Sequence, residues 1–129
     1  MKINHIGYLV KNLDKSLNAF LKLGYKIKQK TILDEYRQIK ICFIEKNGYV
    51  IELVTPISKT SVVSKLIKKI GNSAYHICYE TDDILSEMKN LENSGYILCS
   101  ELHQAIAFQN RRVCFYLNPY LGIIELLEK

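Results

Sequence analysis

Two histidines and two glutamates, His5, Glu52, His76 and Glu125, stand in segments that recur along the chain. Imidazole nitrogens and carboxylate oxygens are donors that suit divalent nickel, cobalt, manganese or zinc. His5-Ile6-Gly7-Tyr8 matches His76-Ile77-Cys78-Tyr79 at a spacing of 71 residues, and Gly24-Tyr25 matches Gly95-Tyr96 at the same spacing. Cys42-Phe43 matches Cys114-Phe115 at 72, and Ile51-Glu52-Leu53 matches Ile124-Glu125-Leu126 at 73. Small loop changes produce such a drift. The chain reads as a tandem duplication in which each half supplies one His and one Glu.

Strand parity says where those four side chains go. Successive residues of a strand point to opposite faces. Ile6, Tyr8 and Val10 share one face of the first strand, and His5, Gly7 and Leu9 share the other. Ile51 and Leu53 oppose Glu52; Tyr75, Ile77 and Tyr79 oppose His76; Ile124 and Leu126 oppose Glu125. One face is apolar and suited to packing under helices, with Tyr8 and Tyr79 as core residues rather than catalysts. The other carries a lone polar residue four times over. If the halves pair about a pseudo-twofold, these positions converge. Two buried carboxylates without a counter-ion are very costly, and one divalent cation removes that cost. The expected metal ligands are therefore His5, Glu52, His76 and Glu125. Cys78 shares the face of His76 and could line the same site.

The elements that must position them follow from hydrophobic pattern and turn chemistry. Residues 3–10, 25–33, 37–46 and 49–55 read as strands, with a helix capped by Asp14 and closed by Gly24 after the first. Asn47-Gly48 predicts a tight hairpin of the I′ type. The second half repeats the order: a strand over 74–80, a helix capped by Asp82 or Asp83 and ending near Gly95, then strands near 96–102, 111–117 and 122–128. A short amphipathic helix over 60–70 links the halves, with Val62, Val63, Leu66, Ile67 and Ile70 inward and Gly71 as its stop. The expected fold is α+β: two tandem βαβββ modules forming a curved eight-stranded sheet around a metal-binding cavity. Residues 1–129 make a single domain, with module one near 1–57, the linker helix near 60–70 and module two near 73–129.

Length and composition agree. A chain of 129 residues fits one domain, and 48% hydrophobic with 24% charged residues excludes wholesale disorder. No apolar run is long enough for a membrane span or a signal peptide, so a cytoplasmic protein with no membrane partner is expected. The net charge of +5 comes from scattered lysines with no basic-aromatic stripe, which argues against nucleic acid. Cys42, Cys78, Cys99 and Cys114 show no C-x-x-C spacing and read as reduced thiols. Lys65, Lys68 and Lys69, with Arg111 and Arg112, could meet an anionic substrate or serve only as a solvated face.

HIGYLVKNLDKSL at 5–17, IELVTP at 51–56, YHICYETDDI at 75–84 and GIIELLE at 122–128 resemble the vicinal-oxygen-chelate superfamily, in its methylmalonyl-CoA epimerase and glyoxalase I branch. The resemblance covers nearly the whole chain and places that family's metal ligands on the same four residues. Epimerases often carry Gln where this chain has Glu52, a His-His pair where it has Tyr75-His76, and a Gly-His-Gly-like loop where it has residues 105–112. The resemblance implies a metal-dependent isomerase or epimerase acting by enolisation, on an acyl-CoA thioester or an α-keto hemithioacetal, as a homodimer. Glu125 is the implied base, with Glu52 as the second candidate catalytic carboxylate. The alternatives are a metal-free ligand-binding protein of the bleomycin-resistance type and an extradiol-type dioxygenase.

Overall fold

A computed structural model describes residues 1–129. The chain runs β1 (Lys2–Leu9), α1 (Leu13–Lys22), β2 (Lys26–Asp34), β3 (Ile39–Lys46), β4 (Tyr49–Pro56), α2 (Ser64–Ile70), β5 (Ser73–Thr81), α3 (Ile84–Asn93), β6 (Ile97–Ala105), a 3₁₀ turn (Ile106–Phe108), β7 (Arg111–Asn118) and β8 (Gly122–Glu128). This is the α+β order of two βαβββ modules. The strand order is β2-β3-β4-β1 in the first module and β5-β8-β7-β6 in the second. Residues 6–74 form one compact unit, and residues 1–5 with 75–129 form the other.

In the first unit β1 runs parallel to β4, and β3 lies antiparallel to both β4 and β2. The turn between β3 and β4 places Asn47 at φ 52° and Gly48 at φ 83°, the pair of positive angles that a I′ hairpin requires. Val10, Leu13, Cys42, Ile44 and Leu53 form the buried core, with Tyr8, Leu17, Phe20, Tyr25 and Ile51 packed against it. Tyr8 meets the Phe20 ring edge-on at 5.3 Å, which fixes it on the helix side of the sheet. In the second unit the core is Ile84, Leu91, Cys114, Tyr116, Ile124 and Leu126, with Tyr79, Met88, Tyr96 and Leu102 around it. The repeat spacings carry Leu13 onto Ile84, Ile44 onto Tyr116 and Leu53 onto Leu126. One core is built twice. Burying each such side chain contributes on the order of 1.5–3 kcal/mol.

Two details, the first helix's cap and the linker helix, differ from the sequence reading, and the structure chooses between its two candidate caps for the second helix. The first helix begins one residue before Asp14, so Asn12 is its cap: the Asn12 side-chain oxygen accepts from the Lys15 N–H at 3.0 Å. Asp14 instead lies in the first turn, where a negative charge suits the helix dipole. In the second helix Asp83 is the cap, accepting from the Ser86 N–H at 3.0 Å, while Asp82 faces Lys129 at 3.4 Å. The linker helix is only Ser64–Ile70. Two turns bring Val63 and Ile67 to one buried face, whereas Val62 precedes the helix and Ile70 ends it, and both are exposed.

The four cysteines form no disulfide; Cys42, Cys78 and Cys114 are buried and Cys99 is exposed. Burial, aided by nearby Glu125 and Glu92, pushes the Cys114 thiol up to about 12. Thiols of that kind serve as small apolar fillers. No helix is long and apolar enough to cross a membrane.

Candidate metal centre

The two modules set their carboxylates by the same rule. In the parallel pair β1–β4 the residue opposite Glu52 is Gly7, two places after His5. In the parallel pair β5–β8 the residue opposite Glu125 is Cys78, two places after His76. Each Glu therefore shares a sheet face with the His of its own module. On the third strand of each module the register partner is a phenylalanine, Phe43 for Glu52 and Phe115 for Glu125. The pattern of alternation is as the sequence predicts.

All four side chains are buried: His5, Glu52 and Glu125 are 1% exposed and His76 is 3% exposed. Each offers one donor atom of a kind that divalent ions take. Glu125 Oε2 stands 3.2 Å from His5 Nε2 and 3.0 Å from His76 Nε2, and the two Nε2 atoms are 3.2 Å apart. Desolvation alone would raise the Glu125 carboxyl, but the two imidazoles at 3.0–3.2 Å outweigh it and hold the group well below the usual carboxylate range.

His5 Nδ1 lies 2.9 Å from Asn4 Oδ1. An amide oxygen only accepts, so Nδ1 carries the proton and Nε2 presents its lone pair to the centre. That lone pair points at a carboxylate oxygen and at a second imidazole. A proton on His76 Nε2 can serve one of these contacts and leaves His5 and Glu125 lone pair to lone pair. A cation among the three atoms satisfies all of them. Donors about 2.1 Å from a metal and at right angles to one another stand about 3.0 Å apart, close to the observed 3.0–3.2 Å. The donor set fits a divalent ion.

Aromatic walls hold the rings. His5 stacks on Phe108 at 5.5 Å and 20°, and His76 meets Phe115 at 5.5 Å and Tyr75 at 4.5 Å, both edge-on. Phe108 comes from the 3₁₀ turn between β6 and β7, the segment in which the sequence departs from the epimerase pattern. Arg111 lies over the Phe108 ring at 5.8 Å and bonds Glu80 at 3.1 Å, while Arg112 forks onto Glu128. Both arginines are thus committed within the chain, whereas Lys65, Lys68 and Lys69 are exposed. Cys78, 0% exposed, lies on the His76 face as expected.

Asn4 and Phe108 were not legible as site residues. Asn4 follows no spacing rule, although an amide next to a metal-type histidine is a signal worth weighing. Partners that orient a ligating imidazole typically change metal affinity 10–100-fold. Asn4→Ala is therefore expected to weaken cation binding by about that factor and to leave the melting temperature of the chelated protein nearly unchanged. Competition titration against a metallochromic chelator reads the first, and a thermal melt the second.

The Glyoxalase/Bleomycin resistance protein/Dioxygenase superfamily model matches residues 4–115. No curated protein matches by sequence. Among solved structures, a methylmalonyl-CoA epimerase from Mycobacterium tuberculosis superposes with a TM-score of 0.83 at 23% identity, over 98% of this chain and 87% of that one. A hypothetical protein from Bacillus halodurans C-125 gives 0.86 at 25% identity, over 99% and 94%. A variant methylmalonyl-CoA epimerase from Streptomyces coelicolor, solved with 2-nitronate-propionyl-CoA, gives 0.85 at 19%, over 100% and 94%. At these identities the structural likeness speaks for the fold, and the match over residues 4–115 shows the family: the chain belongs to the glyoxalase/bleomycin resistance protein/dioxygenase superfamily.

Proposed function

We propose that this protein is a metal-dependent isomerase or epimerase that removes and returns a proton on the carbon next to a carbonyl or thioester. The observation that supports the reading is the buried trio of His5, His76 and Glu125 with donor atoms 3.0–3.2 Å apart, joined by Glu52, buried at the position that the repeat makes equivalent to Glu125. His5, Glu52, His76 and Glu125 are the proposed holders of one divalent ion. When bound, such an ion supplies Lewis-acid polarisation of a substrate oxygen. An acyl-CoA thioester or an α-keto hemithioacetal is the proposed substrate. Structural neighbours that are methylmalonyl-CoA epimerases, one holding methylmalonyl-CoA and another 2-nitronate-propionyl-CoA, support the thioester.

The chain's own residues do the rest. Asn4 keeps His5 as the Nδ1–H tautomer, and the aromatic walls hold both imidazoles still and keep bulk water away. Glu125, kept ionised by its neighbours, is the proposed base; general-base help of this kind is worth roughly 10²–10⁴ in rate. Glu52, its counterpart from the other module, is a ligand first and a second candidate proton acceptor. Return of the proton to the opposite face inverts the carbon; return to the neighbouring carbon isomerises the substrate. A cytoplasmic homodimer belongs to the same reading. β2 is paired with β3 and β6 with β7, and association could cover the other edge of each.

Proton NMR in D₂O tests the proposal. The ion-loaded protein is expected to wash out the α-proton of at least one member of a panel of 2-methyl-branched acyl-CoA thioesters and α-keto hemithioacetals. Chelation should stop the washout and refilling restore it. Washout that continues after complete chelation would remove the metal from the reading, and none with any panel member would remove enolisation.

A further inference from the structure

In the second unit, strand register fixes which side chains lie beside one another on the face that carries His76 and Glu125. His76 pairs with Ile123, Ile123 with Leu117, and Leu117 with Ile97. Residues paired across neighbouring strands point to the same side of a sheet, so these four form one row across β5, β8, β7 and β6. The next row is Cys78, Glu125, Phe115 and Ser100. There Phe115 is buried, whereas the first row opens along its length. His76 is buried, Ile123 half-buried and Leu117 exposed, and Ile97 reaches 61% exposure. An apolar track thus runs outward from a metal-type histidine.

The first unit shows that the fold does not demand such a track. The repeat sets Val50 against Ile123, Glu45 against Leu117 and Lys26 against Ile97, and these three are register partners in the same way. Charge suits an outer strand that water reaches, and Glu45 has Lys28 within 3.9 Å. In the second unit the same two positions are apolar and stand in water, a cost that an apolar cover would remove. Isolated apolar residues on a surface are ordinary. This pair differs by continuity, because Ile123 joins it to a histidine whose Nε2 lies 3.0 Å from Glu125 Oε2.

We infer that Ile123, Leu117 and Ile97 seat an extended apolar acyl chain, so that the substrate is a thioester of a medium-length aliphatic acid rather than of a short or dicarboxylic one. The inference rests on the enolisation reading and names its substrate class. An α-carbon brought to Glu125 has its acyl chain beside His76. From there the three strand steps from β5 to β6 span about 14 Å, which a medium-length saturated chain fills. A short acyl group would stop at Ile123 and leave Leu117 and Ile97 in water. A second carboxylate on the chain would meet only isoleucine and leucine along the row, and an anion set there without a partner is strongly disfavoured.

The test measures binding apart from chemistry. S-(2-methylbutyl)-CoA and S-(2-methyldecyl)-CoA are thioethers that cannot enolise, and calorimetry with the ion-loaded protein gives their affinities. Covering about half of each methylene on an open face is worth roughly twofold per carbon, so the longer chain is expected to bind about 60-fold tighter. Ile97→Lys combined with Leu117→Glu gives the second unit the pair that the first already carries, so melting temperature and metal content should stay near wild type. This variant should bind the short thioether as before and lose most of the chain-length preference. Ile97→Ser, at the exposed end of the row, should cut the preference severalfold without adding charge. Equal wild-type affinity for the two thioethers, or a preference that both variants keep, would overturn the assignment. A kept preference with a changed sedimentation coefficient in the double variant would give the row to a second copy of the chain instead. Exchange of α-protons from the matching thioesters in D₂O is scored separately. None with either chain length would overturn the enolisation reading, and with it the reacting acyl group as occupant of the row.

Discussion

Alanine at both His5 and His76 is expected to take the protein from about one divalent ion per chain to none measurable by elemental analysis after chelation and refilling. Each substitution removes a nitrogen whose partners lie 3.0–3.2 Å away. The loss goes beyond two donors. Glu125, 1% exposed, is left buried with neither imidazole nor cation, and stripping the partner from a buried charge typically costs about 3–5 kcal/mol. The double variant should therefore also melt well below the wild type, with the loss easing at acid pH where the carboxylate can take up a proton. Circular dichroism separates a folded, ion-free protein from an unfolded one. A folded double variant that still binds ion stoichiometrically would mean that these histidines are not the ligands.

Much of this was legible in the sequence because the chain repeats itself. The offset of 71 residues aligns His5 with His76, and the alternation around each predicts which face it takes. Those two facts bring the four ligands to one side of the sheet. What the sequence concealed depends on register. The two register shifts of β6, between Leu98 and Ser100 and between Ser100 and His103, are set by pairing with β7 rather than by local composition. Phe108 reaches His5 through a 3₁₀ turn followed by Gln109 and Asn110 at positive φ, angles that Asn tolerates and Gln seldom announces. Asn12, two residues before Asp14, takes the capping role expected of that aspartate. In each case a neighbouring strand or helix chose among options that the local sequence left equal.

Glu125→Gln is expected to lower α-proton exchange by about 10²–10⁴-fold while retaining bound ion. An amide oxygen can still donate a lone pair to a cation, but it cannot take up a proton at neutral pH. The two properties of the carboxylate, ligand and base, are thereby separated in one substitution. Glu52→Gln should retain both ion and most exchange, since the epimerases that this sequence resembles often carry Gln at that position. The contrast matters because the two glutamates are equivalent by repeat, by register partner (Phe43 and Phe115) and by burial. Symmetry of position predicts equal effects; the assignment of one base predicts unequal ones. Exchange rates and metal content measured on the same preparations decide between them. Equal losses with ion retained would make both carboxylates proton acceptors, and full exchange in Glu125→Gln would overturn the assignment of Glu125 as the base.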